Sequence, residues 1–151
     1  NDKIDKVNSH VIPGMLLKFL CAKKHNLSII KLWGDGSPER EFLNSDDLAD
    51  AIFHVLNTSK NKLNRLFKKK FPILNVGSGD IWTIKNLAYL IKNKTNYLGK
   101  ILFDNRFPNG TMKKDLDSSK IYYLGWKPKK KLLNSIDLLI NDFNLRYENW
   151  N

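Results

Sequence analysis

The pattern that most constrains this chain is a change of period near its start. Apolar residues at positions 12, 15, 16, 19 and 20 follow helical spacing. Shortly afterwards Ser28-Ile29-Ile30-Lys31-Leu32-Trp33 reads as extended, and Gly34-Asp35-Gly36-Ser37-Pro38 stops it. Such a chain must pack helices against strands, which restricts it to an α/β or α+β fold. Pro13 suits the first turn of the 11–25 helix, and Lys23 and Lys24 suit its negative end. Residues 40–43 form a short extended piece, and Ser45 or Asp46 caps a helix over 47–56. A buried strand is expected at 73–76, a helix from Ile84 capped by Thr83, a strand at 100–104, a turn at Pro108-Asn109-Gly110, a short helix at 118–124 and an amphipathic helix at 132–147. With no repeat and no change of composition, 1–151 reads as a single domain, and the polar, basic stretch 57–71 as an insertion loop.

Several classes are excluded. No run of eighteen apolar residues offers a membrane span, and the polar, charged beginning is unlike a signal peptide, so the expected location is cytoplasmic. A lone cysteine, Cys21, supports neither a disulfide framework nor a cysteine-rich zinc site; on the apolar side of its helix it is expected to pack in the core. The net charge of +11 suggests a polyanionic partner, but an asparagine- and lysine-rich background explains it as readily.

Gly77-Ser78-Gly79, between a strand and a helix, begins like a dinucleotide loop. Trp82 stands where the third glycine belongs, so a strand-to-helix turn is the simpler reading. Asp46 and Asp47 are adjacent and diverge by about 100° on a helix, so one is expected to cap or complement the dipole rather than chelate. His25 and His54 lack companions at ligand spacing, and no metal site is expected.

The runs Asn8-Ser9-His10-Val11-Ile12-Pro13-Gly14, Trp33-Gly34-Asp35-Gly36-Ser37-Pro38-Glu39-Arg40-Glu41-Phe42-Leu43 and Asp46-Asp47-Leu48-Ala49 resemble the GDP-L-fucose synthases. Asn75-Val76-Gly77-Ser78-Gly79, Asn109-Gly110-Thr111-Met112-Lys113-Lys114-Asp115 and Leu124-Gly125-Trp126-Lys127-Pro128 follow in the family's order. The resemblance implies an extended short-chain dehydrogenase/reductase that converts GDP-4-keto-6-deoxy-D-mannose to GDP-L-fucose with NADP. It further implies that this chain is the C-terminal, substrate-binding portion. The N-terminal Rossmann half, with most of the NADP site, the reductase residues and the catalytic cysteine, would be absent, leaving these residues inactive alone and the full-length protein a homodimer.

Carried over by that resemblance, His10 is the general acid of epimerisation, a role suited to an imidazole because it titrates near neutrality. Without the resemblance, His10 would read as a cap for the 11–25 helix. Arg40 is implied to take the substrate diphosphate, Trp33 to cover the nucleotide, and Lys114 to close over the substrate. Lys18 stands where the family often has arginine, keeping the charge and losing the bidentate fork. Asn109 replaces an aspartate and can still accept from ligand through its oxygen, without charge. Asn44 and Ser45 also depart from the family pattern. The alternatives are another sugar-nucleotide epimerase or reductase, or a nucleic-acid-binding module built on Phe67-Lys68-Lys69-Lys70-Phe71 and the lysines of 127–131.

Overall fold

The computed structural model describes residues 10–67 and 72–147. In chain order the elements are α1 (Val11–Lys24), β1 (Ile29–Trp33), β2 (Glu39–Glu41), α2 (Ser45–Leu56) and α3 (Lys60–Phe67). There follow β3 (Ile81–Thr83), α4 (Ile84–Thr95), β4 (Lys100–Asp104), β5 (Lys113–Lys114), α5 (Ser119–Tyr123) and α6 (Leu132–Tyr147). The chain forms two compact units, each assembled from separated stretches. Composition along the chain cannot mark such a division, because the polypeptide passes between the units repeatedly.

The first unit takes the chain up to Pro38, Thr83–Met112 and the stretch from Ile136 onward. β1 and β4 pair in parallel, from Ile29 beside Lys100 to Trp33 beside Asp104. Along β1 burial alternates, Ile30 and Leu32 facing in and Ile29, Lys31 and Trp33 facing out. Phe19 and Leu16 of α1 and Leu87 and Ile91 of α4 are wholly buried. The Phe19 ring meets Tyr97 edge to face, centroids 5.6 Å apart. α4 begins where Thr83 accepts from the Asn86 N–H at 3.0 Å and ends on Asn96 in the left-handed region.

The second unit takes Glu39–Trp82 and Lys113–Ser135. Its sheet runs β3-β2-β5, with β2 and β5 parallel. Ala51, Ile121 and Trp126 form its core, flanked by Leu43, Val55, Val76 and Tyr122. The α2 cap is Asn44, whose side chain accepts from the Asp46 N–H at 2.9 Å, not Ser45 or Asp46, which both lie inside the helix. Asp47, only 2% exposed, accepts from the Lys129 and Lys130 N–H groups at 3.1 and 2.8 Å. Asp50 and Asp46 bind the ammonium groups of those two lysines, so part of the 127–131 basic cluster is neutralised locally. Asp47→Ala would remove the carboxylate that pairs with the Lys129 and Lys130 N–H groups and is expected to cost about 1–3 kcal/mol, read as a lower urea midpoint.

Two sequence readings are corrected here. The 57–71 stretch carries helix α3 where a loop was expected, because Leu63, Leu66 and Phe67 recur at helical spacing; residues 68–71 lie outside the described residues. The 73–76 run forms no strand: Ile73 is 64% exposed, and the Asn75 amide donates to the Asp117 carbonyl at 3.2 Å. No helix among the described residues is long and apolar enough to cross a membrane.

Candidate functional site

In the first unit, α1 and β1 border an open groove of about 610 Å³. His10, Gly14, Lys18 and Cys21 line it from α1, and Ile29 and Trp33 from β1. The α1 positions are three and four residues apart after His10's turn, so they form one row on one helix face. That row also corrects the reading of Cys21, a free thiol that is partly exposed along the groove rather than packed in the core. His10 occupies the N-cap position of α1, and its side chain makes no capping bond there. Lys18 is exposed on α1, two turns further along the same face.

Trp33 is 67% exposed, so it is no core tryptophan. Its indole stacks on Phe107, with centroids 4.7 Å apart and planes at 11°. The pair forms an aromatic shelf at the end of β1, suited to a planar ring. Phe107 was not foreseen, because nothing local in Arg106-Phe107-Pro108 announces a stacking partner 74 residues from Trp33. Asn109 lies in the same unit, and the oxygen expected to accept from ligand is already engaged. Asn109 Oδ1 accepts from the Asp35 N–H at 2.8 Å, pinning the glycine turn. A Cβ on Gly34 would strike that oxygen. The Asn109 side chain also bonds the Asp35 carboxyl, so its first role here is to hold that turn.

Two carboxylates border this turn. Hydrogen bonds from the Ser37 hydroxyl and N–H hold the Asp35 carboxyl below its ordinary value. Arg106 bonds Asp104 through Nε at 2.8 Å and Nη2 at 2.6 Å, bringing that carboxyl down to about 2. Both are anionic at neutral pH.

In the second unit, Arg40 of β2 stands directly beside Lys114 of β5 in the parallel register. Arg40 is half-buried and Lys114 exposed. Arg40 Nη1 donates to the Glu39 carbonyl at 2.6 Å. Among the described residues neither cation forms a salt bridge with a carboxylate. Two like charges side by side repel, and a bound anion is what would relieve them. His10, Lys18, Trp33 and Asn109 thus belong to one unit, and Arg40 and Lys114 to the other.

The Gly77-Ser78-Gly79 segment is closed to phosphate by its own protein. Gly77 N–H donates to Ser118 Oγ at 2.7 Å and Gly79 N–H to Glu41 Oε1 at 2.6 Å. A Cβ on Gly77 would strike the Glu41 carboxylate. The described residues include no group of three side chains able to hold a metal ion.

The model of the NAD dependent epimerase/dehydratase family matches residues 2–77. The chain is 42% identical over 131 residues to probable GDP-L-fucose synthase 1 of Oryza sativa subsp. japonica, covering 87% of this chain and 37% of that one. The structure of a GDP-6-OMe-4-keto-L-xylo-heptose reductase from C. jejuni superposes with a TM-score of 0.83 at 30% identity, covering 95% of this chain and 50% of that one. MlghC, a GDP-mannoheptose C4 reductase from Campylobacter jejuni solved with NADP bound, gives 0.78 at 28%, covering 95% and 49%. The chain therefore spans about two-fifths of its curated relative and half of those structures. These likenesses define a partial α/β fold of the extended short-chain dehydrogenase/reductase type. The chain belongs to the NAD dependent epimerase/dehydratase family.

Proposed function

We propose that this chain is the C-terminal, substrate-binding part of a GDP-L-fucose synthase, which turns GDP-4-keto-6-deoxy-D-mannose into GDP-L-fucose by 3,5-epimerisation and 4-reduction. The observation that carries the reading is the opposition of Arg40 and Lys114 without a carboxylate partner. A diphosphate bridges such a pair, and the planar guanidinium takes two of its oxygens at once. Within the first unit, Trp33 on Phe107 offers a face to a planar ring, and Lys18 lines the groove as an exposed cation. Remote contacts of this kind hold the nucleotide while the sugar is positioned for chemistry. His10 supplies the proton to carbon after the position beside the 4-keto group has lost one.

NADP is the expected hydride donor for the 4-ketone. The glycine segment described here does not fit its pyrophosphate, because Glu41 and Ser118 take the N–H groups a phosphate would need. In this reading NADP is held mainly by residues of the polypeptide outside this segment, and these residues alone are expected to give no turnover. A cytoplasmic homodimer is the expected setting. A related GDP-sugar 4-reductase is the second reading, favoured by the similarity to the C. jejuni reductases.

Calorimetry on the full-length polypeptide tests the site. Wild type is expected to bind GDP, and Arg40→Ala to bind it about 10- to 100-fold more weakly, with an unchanged circular dichroism spectrum. Unchanged affinity in the variant would remove Arg40 from the site.

A further inference from the structure

The anion site just described is built on very little sheet. β5 is two residues long, and its register with β2 consists of Glu39 beside Lys113 and Arg40 beside Lys114. Both β5 residues are exposed lysines, and Lys114 is repelled by its neighbour across the strand. Something beyond the ladder must hold Lys114 opposite Arg40.

We propose that Glu41 is that positioning residue: it clamps the end of the β2–β5 pair, so that the Arg40–Lys114 pair is set for a diphosphate before the nucleotide arrives. The proposal rests on the diphosphate reading given above. Glu41 follows Arg40 on the central strand, and both of its oxygens are used. Oε1 accepts from the Gly79 N–H at 2.6 Å, and Oε2 from the Leu116 N–H at 2.8 Å. Leu116 lies two residues beyond Lys114, so this bond continues the tie between β2 and the β5 segment where regular pairing has stopped.

The surroundings are shaped around that carboxylate. Gly77 has no room for a Cβ beside it, and Gly79 takes a φ of +69° to turn its N–H toward it. The Tyr122 hydroxyl donates to the Gly77 carbonyl at 3.1 Å, and burial together with the Glu41 charge pushes its phenol up. The Ser78 hydroxyl donates to the Phe42 carbonyl at 2.7 Å, a second stitch between the same loop and the chain after β2. Charge-assisted bonds to N–H groups are the stronger kind, and holding two segments with one short side chain fixes them relative to each other. Preorganisation of this sort appears as affinity, since a free site need not be ordered on binding.

The test is a double-mutant cycle on GDP binding and turnover by the full-length polypeptide. Glu41→Gln keeps the shape but turns an NH₂ toward one of two N–H donors. It is expected to weaken GDP binding about tenfold and raise KM for the GDP-sugar by a similar factor, with kcat unchanged. In a Lys114→Ala background the same substitution should cost less than twofold, because its effect runs through Lys114. Amide exchange across 113–118 should quicken in Glu41→Gln. Where Glu41→Gln is too unstable to assay, Glu41→Asp, with the charge kept and the reach shortened, enters the same cycle.

Equal losses in both backgrounds, or wild-type affinity in Glu41→Gln while Arg40→Ala loses GDP, would overturn the clamp and leave the diphosphate reading standing. Wild-type affinity in Arg40→Ala would overturn both.

Discussion

His10→Ala in the full-length polypeptide is expected to slow epimerisation by about 10²- to 10⁴-fold while leaving GDP affinity within about twofold. The separation follows from where the residue stands. His10 lines the α1–β1 groove and is exposed, yet gives α1 no side-chain capping bond, so its loss should not shorten that helix. A proton donor to carbon acts only as the enolate collapses, so removing it lowers kcat and kcat/KM together rather than ground-state binding. The assay is wash-in of solvent deuterium into the GDP-4-keto sugar without reductant, which counts carbon protonations apart from the hydride step. Gln in place of His keeps hydrogen-bonding capacity without a transferable proton, and it should be as slow as Ala. Unchanged deuterium wash-in in both variants would end the general-acid assignment and leave His10 a residue of the groove wall.

The two kinds of signal in this chain were unequally legible. Helix α6 over 132–147 and the Thr83 cap of α4 could be read directly, because a helical stripe and a capping hydroxyl are local properties. Strand β5 could not, since Lys113-Lys114 has neither β propensity nor alternation and exists through its pairing with β2. The reverse failure occurred at 73–76, where an apolar run finds no strand partner and Ile73 stays exposed. Helix α3 had its signal in Leu63, Leu66 and Phe67, hidden by the polar, lysine-rich residues around them. Capping by Asn44 rather than Ser45 turns on backbone geometry alone, as both residue types cap well.

The candidate site divides the same way. Arg40 could be picked from its motif, but that Lys114 stands beside it is a fact of register. That Asn109 spends its oxygen on Asp35 is a fact of a contact 74 residues away. Glu41 was visible as part of the Arg-Glu-Phe run, and nothing in the run says that its carboxylate reaches both Gly79 and Leu116.

The largest stability loss is expected from Phe19→Ala. Its side chain is 0% exposed in the core of the first unit, where Leu16, Leu87 and Ile91 are also wholly buried. Its ring sits at 83° to Tyr97, and the Tyr97 hydroxyl donates to the Leu27 carbonyl at 2.9 Å, which fixes the ring that Phe19 packs on. A held neighbour cannot collapse into the space left behind, so the substitution should cost about 3–5 kcal/mol. In urea the midpoint should fall at nearly constant m, and a loss below about 1 kcal/mol would mean that Phe19 does not anchor this core. Since α1 carries Phe19 on its buried side and His10 and Lys18 along the groove, destabilising the one face loosens the support of the other. Turnover in Phe19→Ala should therefore decline with the folded fraction as urea is raised. His10→Ala should instead be slow while fully folded, and that contrast separates a wall residue's support from a proton donor's work.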